Sequence, residues 1–148
     1  GKRLIKAPKL YFHDTGLAAF LLGIQSPAQL STHAARPALF ETMVVGEFLR
    51  ARWNRGEPSN LYFWRDSTGT EVDLLLDEAG LLHPVEIKSG QTIASDMLKG
   101  LQKWLATART PIGQPWLVFG GDGEYSRQDV MVMGWREAVK RLRDEEMP

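Results

Sequence analysis

The chain is predicted to fold as one α/β domain, and three features of the sequence predict it. A long run with helical spacing of apolar residues covers residues 37–56. Three β-rich runs follow in close succession, separated by short turn-forming segments. A second amphipathic run then leads into a buried-looking strand. The order helix, three strands, helix, strand is that of helices layered on a sheet.

The first segment, "RLIKAPKLYFHD" over residues 3–14, reads as an extended strand broken by Pro8. Asp14 is placed to cap a short apolar helix, "TGLAAFLLG", that stops near Gly23. "IQSPAQLSTHAARP" is rich in turn formers and is expected to loop over the surface. Pro37 suits a first helical position and Gly56 a C-terminal stop; between them Phe40, Met43, Val44, Phe48 and Leu49 recur at helical spacing. The β-rich runs are "LYFWR" (61–65), "EVDLLL" (71–76) and "LLHPVEIK" (81–88). Their separators, "DSTGT" and "DEAG", are of hairpin type, so the three strands form an antiparallel meander. Residues 94–108 place Met97, Leu98, Leu101, Trp104 and Leu105 on one side of a second helix that packs on this sheet. After it come the strand "PWLVFG", a turn over 120–123, the β-rich "DVMVMG" and a closing helix, "WREAVKRLRDEEM". No repeat, low-complexity linker or internal boundary interrupts the chain.

Composition narrows the function. With 148 residues, 43% of them hydrophobic, the chain can build one core of native proportions. No apolar run approaches the roughly 20 residues that span a bilayer, and the N-terminus has no apolar stretch of signal-peptide length. The expectation is a soluble, cytoplasmic protein with no membrane partner. Cysteine is absent, which excludes disulfides, thiolate nucleophiles and Cys-based zinc sites and points any metal toward hard cations held by carboxylates. The 18 basic and 18 acidic side chains cancel, so no long-range field draws a polyanion. Nucleic-acid binding would rest on local patches such as "RARWNR" (50–55) or "KRLR" (140–143), whose simpler reading is complementation of helix C-termini.

The charges inside the hairpin at 71–88 carry the chemistry. Glu86 and Lys88 are two residues apart on one strand and project from the same face. A turn centred near residue ~79 sets Asp73 across from ~85 or ~86, so two carboxylates and an ammonium converge. Like charges that close, half buried, raise one pKa unless a cation neutralises them, and a divalent metal with oxygen preference suits the place. Glu41 lies at the edge of the apolar stripe of the long helix and can point to the sheet; Glu47 stands in a similar relation, and Glu41 is favoured. The simpler reading is that Asp73 and Glu86 are outward strand residues with Lys88 as a cross-strand partner. The uninterrupted Leu74, Leu75 and Leu76 weigh against it, since they imply cover on both faces, where embedded charge is costly. His13, His33 and His83 have no metal-triad spacing and read as surface or turn residues. His33, just ahead of the long helix, is the one that could approach the site. The five tryptophans read as core, and "FGGDGEY" as a turn.

An acid on a helix (Glu41), then Asp73, then Glu86-x-Lys88 on the next strand resembles the PD-(D/E)XK nuclease superfamily, whose restriction-endonuclease-like core is helix, three-stranded meander, helix, strand. The stretches "KAPKLYFHDTGLAAFLLG", "LFETMVVGEFL", "LYFWRDSTGTEVDLLL" and "PVEIKSG" are more closely similar to the C-terminal domain of unknown function 4143 of bacterial and archaeal AAA-type ATPases. The resemblance implies one nuclease-like domain over residues 1–148. No G-x-x-x-x-G-K phosphate loop is present, so this would be the C-terminal part of a longer protein with an ATPase domain in cis.

By the same resemblance Asp73 and Glu86 would ligate magnesium or manganese, Lys88 would serve the attacking water, and Glu41 would complete the metal shell. Glu71-Val72 stand where the proline of the superfamily's name would be expected nearby. Arg65 fits a phosphate-contacting position, or equally an ion pair with Asp66 or Glu71, and Gln102 on the second helix is a further polar candidate facing the site. The implied function is magnesium-dependent phosphodiester hydrolysis of DNA or RNA. The alternative is a non-catalytic module, binding nucleic acid or a protein, that keeps the nuclease fold; a third is self-association of the ATPase into a homo-oligomer.

Overall fold

The computed structural model describes residues 8–94 and 96–144. Among these residues, five helices and a six-stranded mixed sheet make an α/β fold. The helices are α1 (Thr15–Leu21), α2 (Pro27–Thr32), α3 (Arg36–Asn54), α4 (Lys99–Leu105) and α5 (Trp135–Arg143). The strands are β1 (Leu61–Arg65), β2 (Glu71–Glu78), β3 (Leu81–Lys88), β4 (Trp116–Phe119), β5 (Glu124–Arg127) and β6 (Val130–Gly134). In space the strands run β1-β2-β3-β4-β6-β5. The first three form an antiparallel meander, β3 pairs in parallel with β4, β4 in parallel with β6, and β5 closes the far edge antiparallel to β6.

The long helix and the meander form where the sequence places them. Pro37 lies in the first turn of α3, and past its end Gly56 takes φ +72°, the left-handed geometry that stops a helix. Asp14 caps α1 by accepting the Leu17 N–H at 3.0 Å. The turn between β2 and β3 is two residues, Ala79 and Gly80, both at positive φ, with Glu78 facing Leu81.

The run Leu74-Leu75-Leu76 reports both faces of the sheet. Leu74 and Leu76 join Val44, Phe48, Val85 and Trp116 in the core beneath α3 and α5, whereas Leu75 joins Leu101, Trp104, Leu117 and Val132 beneath α4. The sheet is therefore covered on both sides, as an unbroken apolar run requires.

Four expectations are corrected. Residues 3–7 of the predicted first strand lie outside the described residues, and residues 8–14 form no strand, because Lys9 and Tyr11 spend their side chains on the site described below while the backbone pairs with no ladder. The segment expected to loop holds α2, where Ser26 accepts the Gln29 N–H and Pro27 opens the helix. The second helix is shorter than residues 94–108; it begins without a side-chain cap and carries Gly100 in its first turn, both of which weaken a start. Residues 124–127, not predicted as a strand, form β5, an exposed edge without apolar alternation. Gln128 and Asp129 supply its hairpin turn at positive φ in place of glycine. The end of the closing helix beyond residue 144 lies outside the described residues.

Candidate active site

Asp73 reaches its place through an irregularity in β2. Tyr62 pairs with Leu75 and Trp64 with Val72, so two steps along β1 are matched by three along β2. The extra residue is the mark of a β-bulge, a device that re-aims one side chain. The ladder between β2 and β3 stops just there, its last pair being Leu74 with Val85. Beyond it Asp73 fills the opening with its side chain and accepts the main-chain N–H of Ile87 on Oδ2 at 2.9 Å.

Glu86 and Lys88 lie on the part of β3 that has left β2 and pairs instead with β4. Val85 and Ile87 belong to the core beneath α3, so by alternation Glu86 and Lys88 leave that core. The Lys88 ammonium donates to Glu86 Oε1, while Glu86 Oε2 is buried with no hydrogen-bond partner. Burial, reinforced by the charge of Asp73, pushes the Glu86 carboxyl up to about 7 against the pull of Lys88. Burial also raises Asp73, with repulsion from Glu41 adding to it and the Ile87 N–H opposing it. Burial alone would lower Lys88, yet the charges of Glu86, Asp73 and Glu41 outweigh it and hold the proton on the amine. The ammonium is thus the resting form, and Lys88 is suited to orienting a group or neutralising charge.

Glu41 faces the site from α3. Its Oε1 accepts from Tyr11 Oη at 2.8 Å and from Lys9 Nζ at 2.9 Å. Glu47 points elsewhere, to Arg50 and Arg143. Asp73 is the common neighbour of this group: the charges of Glu41 and Lys88 act on it, and its own charge acts on Glu86 and Lys88.

Lys9, Tyr11 and Glu71 are site residues that the sequence reading left unassigned. The Lys9 ammonium contacts Glu71 Oε1 and Glu41 Oε1 and lies 3.8 Å from Asp73 Oδ1, with the Phe63 ring centroid 5.6 Å away. Burial works against the charge of Lys9, but hydrogen bonds to Glu71 and Glu41 more than compensate and raise its affinity for the proton. Tyr11 is raised by burial and by the Glu41 charge, so its hydroxyl stays a donor. A cleft of about 480 Å3 opens beside Lys9 and Asp73, walled by Tyr11, Phe12, Tyr62 and Phe63.

Of the two remaining polar candidates, one borders this group and the other lies apart from it. Arg65 pairs with Glu71, its Nε 2.7 Å from Oε2, so the ion-pair reading describes it. Gln102 is removed from the site: on α4 it donates to Gln128 Oε1 at 2.7 Å. His33 accepts the Ala35 N–H and stays in the bend ahead of α3. His83 is buried, contrary to expectation, because Gly113 leaves room against its ring; a Cβ there would meet Nδ1 at 2.6 Å. Trp53, expected in the core, is exposed and stacks on His13. The arginines of the two basic patches are largely paired within the fold, Arg52 with Glu57 and Glu78, Arg55 with Glu57, and Arg141 with Glu124.

The acid group suits a hard divalent cation in donor type and through one orphaned atom, the buried Glu86 Oε2 beside Asp73. Among the described residues no three His, Asp or Glu side chains stand close enough together to hold a metal, and Glu41 is engaged by Lys9 and Tyr11. Asp73 and Glu86 thus fit as a pair, and the third predicted ligand, Glu41, does not join them. Among the described residues no helix is long and apolar enough to cross a membrane.

A family model described as "Domain of unknown function (DUF4143)" matches residues 36–138, a span that includes Glu41, Asp73, Glu86 and Lys88. The chain is 31% identical over 134 residues to an uncharacterized protein of Mycobacterium tuberculosis, Rv2008c, and equally to one of Mycobacterium bovis, Mb2031c. Each alignment covers 89% of this chain and 28% of the relative, so the chain spans little more than a quarter of the curated relatives it matches.

Proposed function

We propose, for a chain that belongs to the family of the domain of unknown function DUF4143, that it is a nuclease-like domain hydrolysing phosphodiester bonds of DNA or RNA. The reading is supported above all by one observation: Asp73 and Glu86, on strands that part at this point, bring a half-buried and a buried carboxylate beside the Lys88 ammonium, and one Glu86 oxygen has no partner. Such an arrangement is costly for a domain that makes no use of it. The restriction-endonuclease-like core, the PD-(D/E)XK ancestry, an AAA-type ATPase in cis and a cytoplasmic setting are parts of the same proposal.

In this reading Asp73 and Glu86 hold magnesium or manganese. When bound, the ion lowers the pKa of a coordinated water and offsets charge on the phosphoryl group. Lys88, a charged donor, orients the attacking water or a phosphate oxygen instead of accepting a proton. Hydrolysis joins the water oxygen to phosphorus, breaks the bond to the departing sugar oxygen and leaves that oxygen with a proton. The test is incubation of plasmid and of single-stranded DNA and RNA with magnesium or manganese, comparing wild type with Asp73→Asn. Metal-dependent cleavage lost in the variant is expected, whereas no cleavage, or equal cleavage by both, refutes the enzyme.

A second reading, a non-catalytic protein-interaction module, is favoured by a different observation. Leu17, Phe20 and Leu21, spaced i, i+3, i+4 on α1, are 49%, 73% and 65% exposed, an apolar helix face on a domain of zero net charge. Sedimentation velocity over a range of concentrations tests its homo-oligomeric form; a sedimentation coefficient that does not change with concentration excludes it.

A further inference from the structure

The cleft beside Lys9 and Asp73 is lined with aromatic rings that the core does not use. Phe12, on the segment ahead of α1, and Tyr62, on the edge strand β1, are 47% and 56% exposed. His13, also on the lining, is stacked on Trp53, itself 52% exposed, with ring centroids 5.8 Å apart and planes 30° from parallel. Single exposed rings are ordinary on a protein surface, but these three gather at one opening. The exposed leucines Leu17 and Leu21 lie on α1 and form no part of the lining. Flat π faces, rather than apolar area in general, distinguish this opening.

The fold holds the cleft open. Gly46 lines it from the interior of α3, a position where glycine is disfavoured. A Cβ there would come within 3.4 Å of the Arg50 guanidinium, which passes beside Gly46 and donates to the His13 carbonyl at 3.2 Å. Tyr11 packs against the core and donates to Glu41. The wall carrying Phe12 is thereby fastened on either side of that residue, at Tyr11 and at His13. The volume of about 480 Å3 falls within the ~300–1,000 Å3 of sites that take small organic molecules. It has room for one base and its sugar, not for a base pair with both backbones.

We propose that this cleft is a single-strand subsite: an unpaired base of DNA or RNA stacks on Phe12 and Tyr62 while its phosphodiester lies toward Asp73, which lines the cleft and also belongs to the acid group. The inference rests on the hydrolytic reading for that direction and adds the substrate class, single strand in preference to duplex. Two features favour a nucleic acid over a protein segment. Through Asp73 a ligand seated in the cleft continues into the place where a phosphodiester would be cut. Stacking is also the attraction left to a domain whose 18 basic and 18 acidic side chains cancel. Every base has a π face, so the subsite selects strandedness and not sequence. A duplex keeps its bases stacked on one another and presents none to the cleft.

The test uses the unaltered chain, with EDTA present so that no cleavage intervenes, and an oligothymidylate carrying one 2-aminopurine, whose emission stacking quenches. Wild type is expected to quench the single strand several-fold and to bind it at least tenfold more tightly than the same sequence as a duplex. Phe12→Ala/Tyr62→Ala, at two exposed positions, is expected to lose most of the quenching and at least tenfold in affinity. Phe12→Leu/Tyr62→Leu, which keeps apolar bulk without a ring, should lose as much. Phe20→Ala, an exposed ring on α1 outside the cleft, should behave as wild type. Quenching that survives either double variant, an equal loss in Phe20→Ala, duplex bound as well as single strand, or binding of neither overturns the proposal; the last is what a protein-occupied cleft would give. Quenching without cleavage in magnesium or manganese sinks the hydrolytic reading alone, and cleavage with quenching indifferent to both double variants sinks the subsite alone.

Discussion

Asp73 holds the main-chain N–H of Ile87 at 2.9 Å where the ladder between β2 and β3 has ended, so one carboxylate both faces Glu86 and substitutes for a missing backbone acceptor. The two roles separate by substitution. Asp73→Ala leaves the Ile87 N–H unpaired in a half-buried place and is expected to cost about 1–3 kcal/mol. Asp73→Asn keeps a carbonyl oxygen for that N–H and removes a charge that repels Glu41 and Glu86, so it is expected to unfold at or above the wild-type urea midpoint. Equal destabilisation by both variants would show that charge, not the hydrogen bond, is what β2 needs.

Glu86 makes stability depend on pH near neutrality. In the unfolded chain its carboxyl ionises around the ordinary 4.5, in the folded protein at about 7. Between these values the folded state keeps a proton that the unfolded state has lost, so stability falls as pH rises through the window and levels off above it. Asp73, also raised, adds to the same slope. Glu71 is shifted the other way: burial opposes, but Lys9 and Arg65 lower it, and the stability it confers is present above 4.5 and lost as pH drops through its lower folded value. Each tenfold change in proton affinity is worth about 1.4 kcal/mol. His83, whose imidazole is pushed by burial below its ordinary 6.5, acts in the opposite sense below that pH, so the urea midpoint of wild type relative to Glu86→Gln is what should fall from pH 5 to pH 8; a difference that does not change with pH contradicts the buried acid.

The meander was legible in the sequence because each strand carries its own signal: β-rich runs, hairpin separators, and a leucine triplet that can only mean two covered faces. The site was legible only in part. Asp73, Glu86 and Lys88 announce themselves as charges among apolar neighbours, and Glu41 through its position on the α3 stripe. Lys9 and Tyr11 do not, since in a coil without periodicity nothing local says that the side chains cross 30 or more residues to reach Glu41. His83 was misjudged for a similar reason: its burial depends on Gly113, a residue of another segment. Strand β5 carries no apolar alternation because only one of its edges is paired and its side chains face water.

Ala79 adopts φ +53° in a two-residue turn whose second member, Gly80, is at +86°. An alanine in the left-handed region is strained by roughly 1–2 kcal/mol, and asparagine tolerates it better. The neighbouring Asp77 Oδ1 already accepts the Gly80 N–H at 2.8 Å, so the turn keeps its own anchor. Ala79→Asn is expected to stabilise the domain by about 0.5–1 kcal/mol and Ala79→Val to destabilise it, since a β-branched residue resists positive φ more strongly. Equilibrium urea denaturation decides; an unstabilised asparagine variant is inconsistent with this turn geometry.

Lys88 and Glu86, neighbours on one face of β3, share a proton balance that a single substitution exposes. The ammonium donates to Glu86 Oε1 and is among the influences opposing the rise of that carboxyl. Lys88→Met removes both charge and donor, so Glu86 should titrate above its present value of about 7 and remain protonated at neutral pH. Lys88→Arg keeps the charge and should leave the titration near wild type, although a planar guanidinium presents its donors differently from an ammonium. Carboxyl-carbon NMR across the pH range reads the Glu86 midpoint directly. If the Lys88→Met midpoint stays where wild type has it, the lysine is a bystander to Glu86, and its place in any hydrolytic scheme goes with it. If the midpoint rises, loss of cleavage in the same variant has two sources, the missing donor and a carboxyl that no longer ionises. Lys88→Arg, which disturbs only the first, separates them.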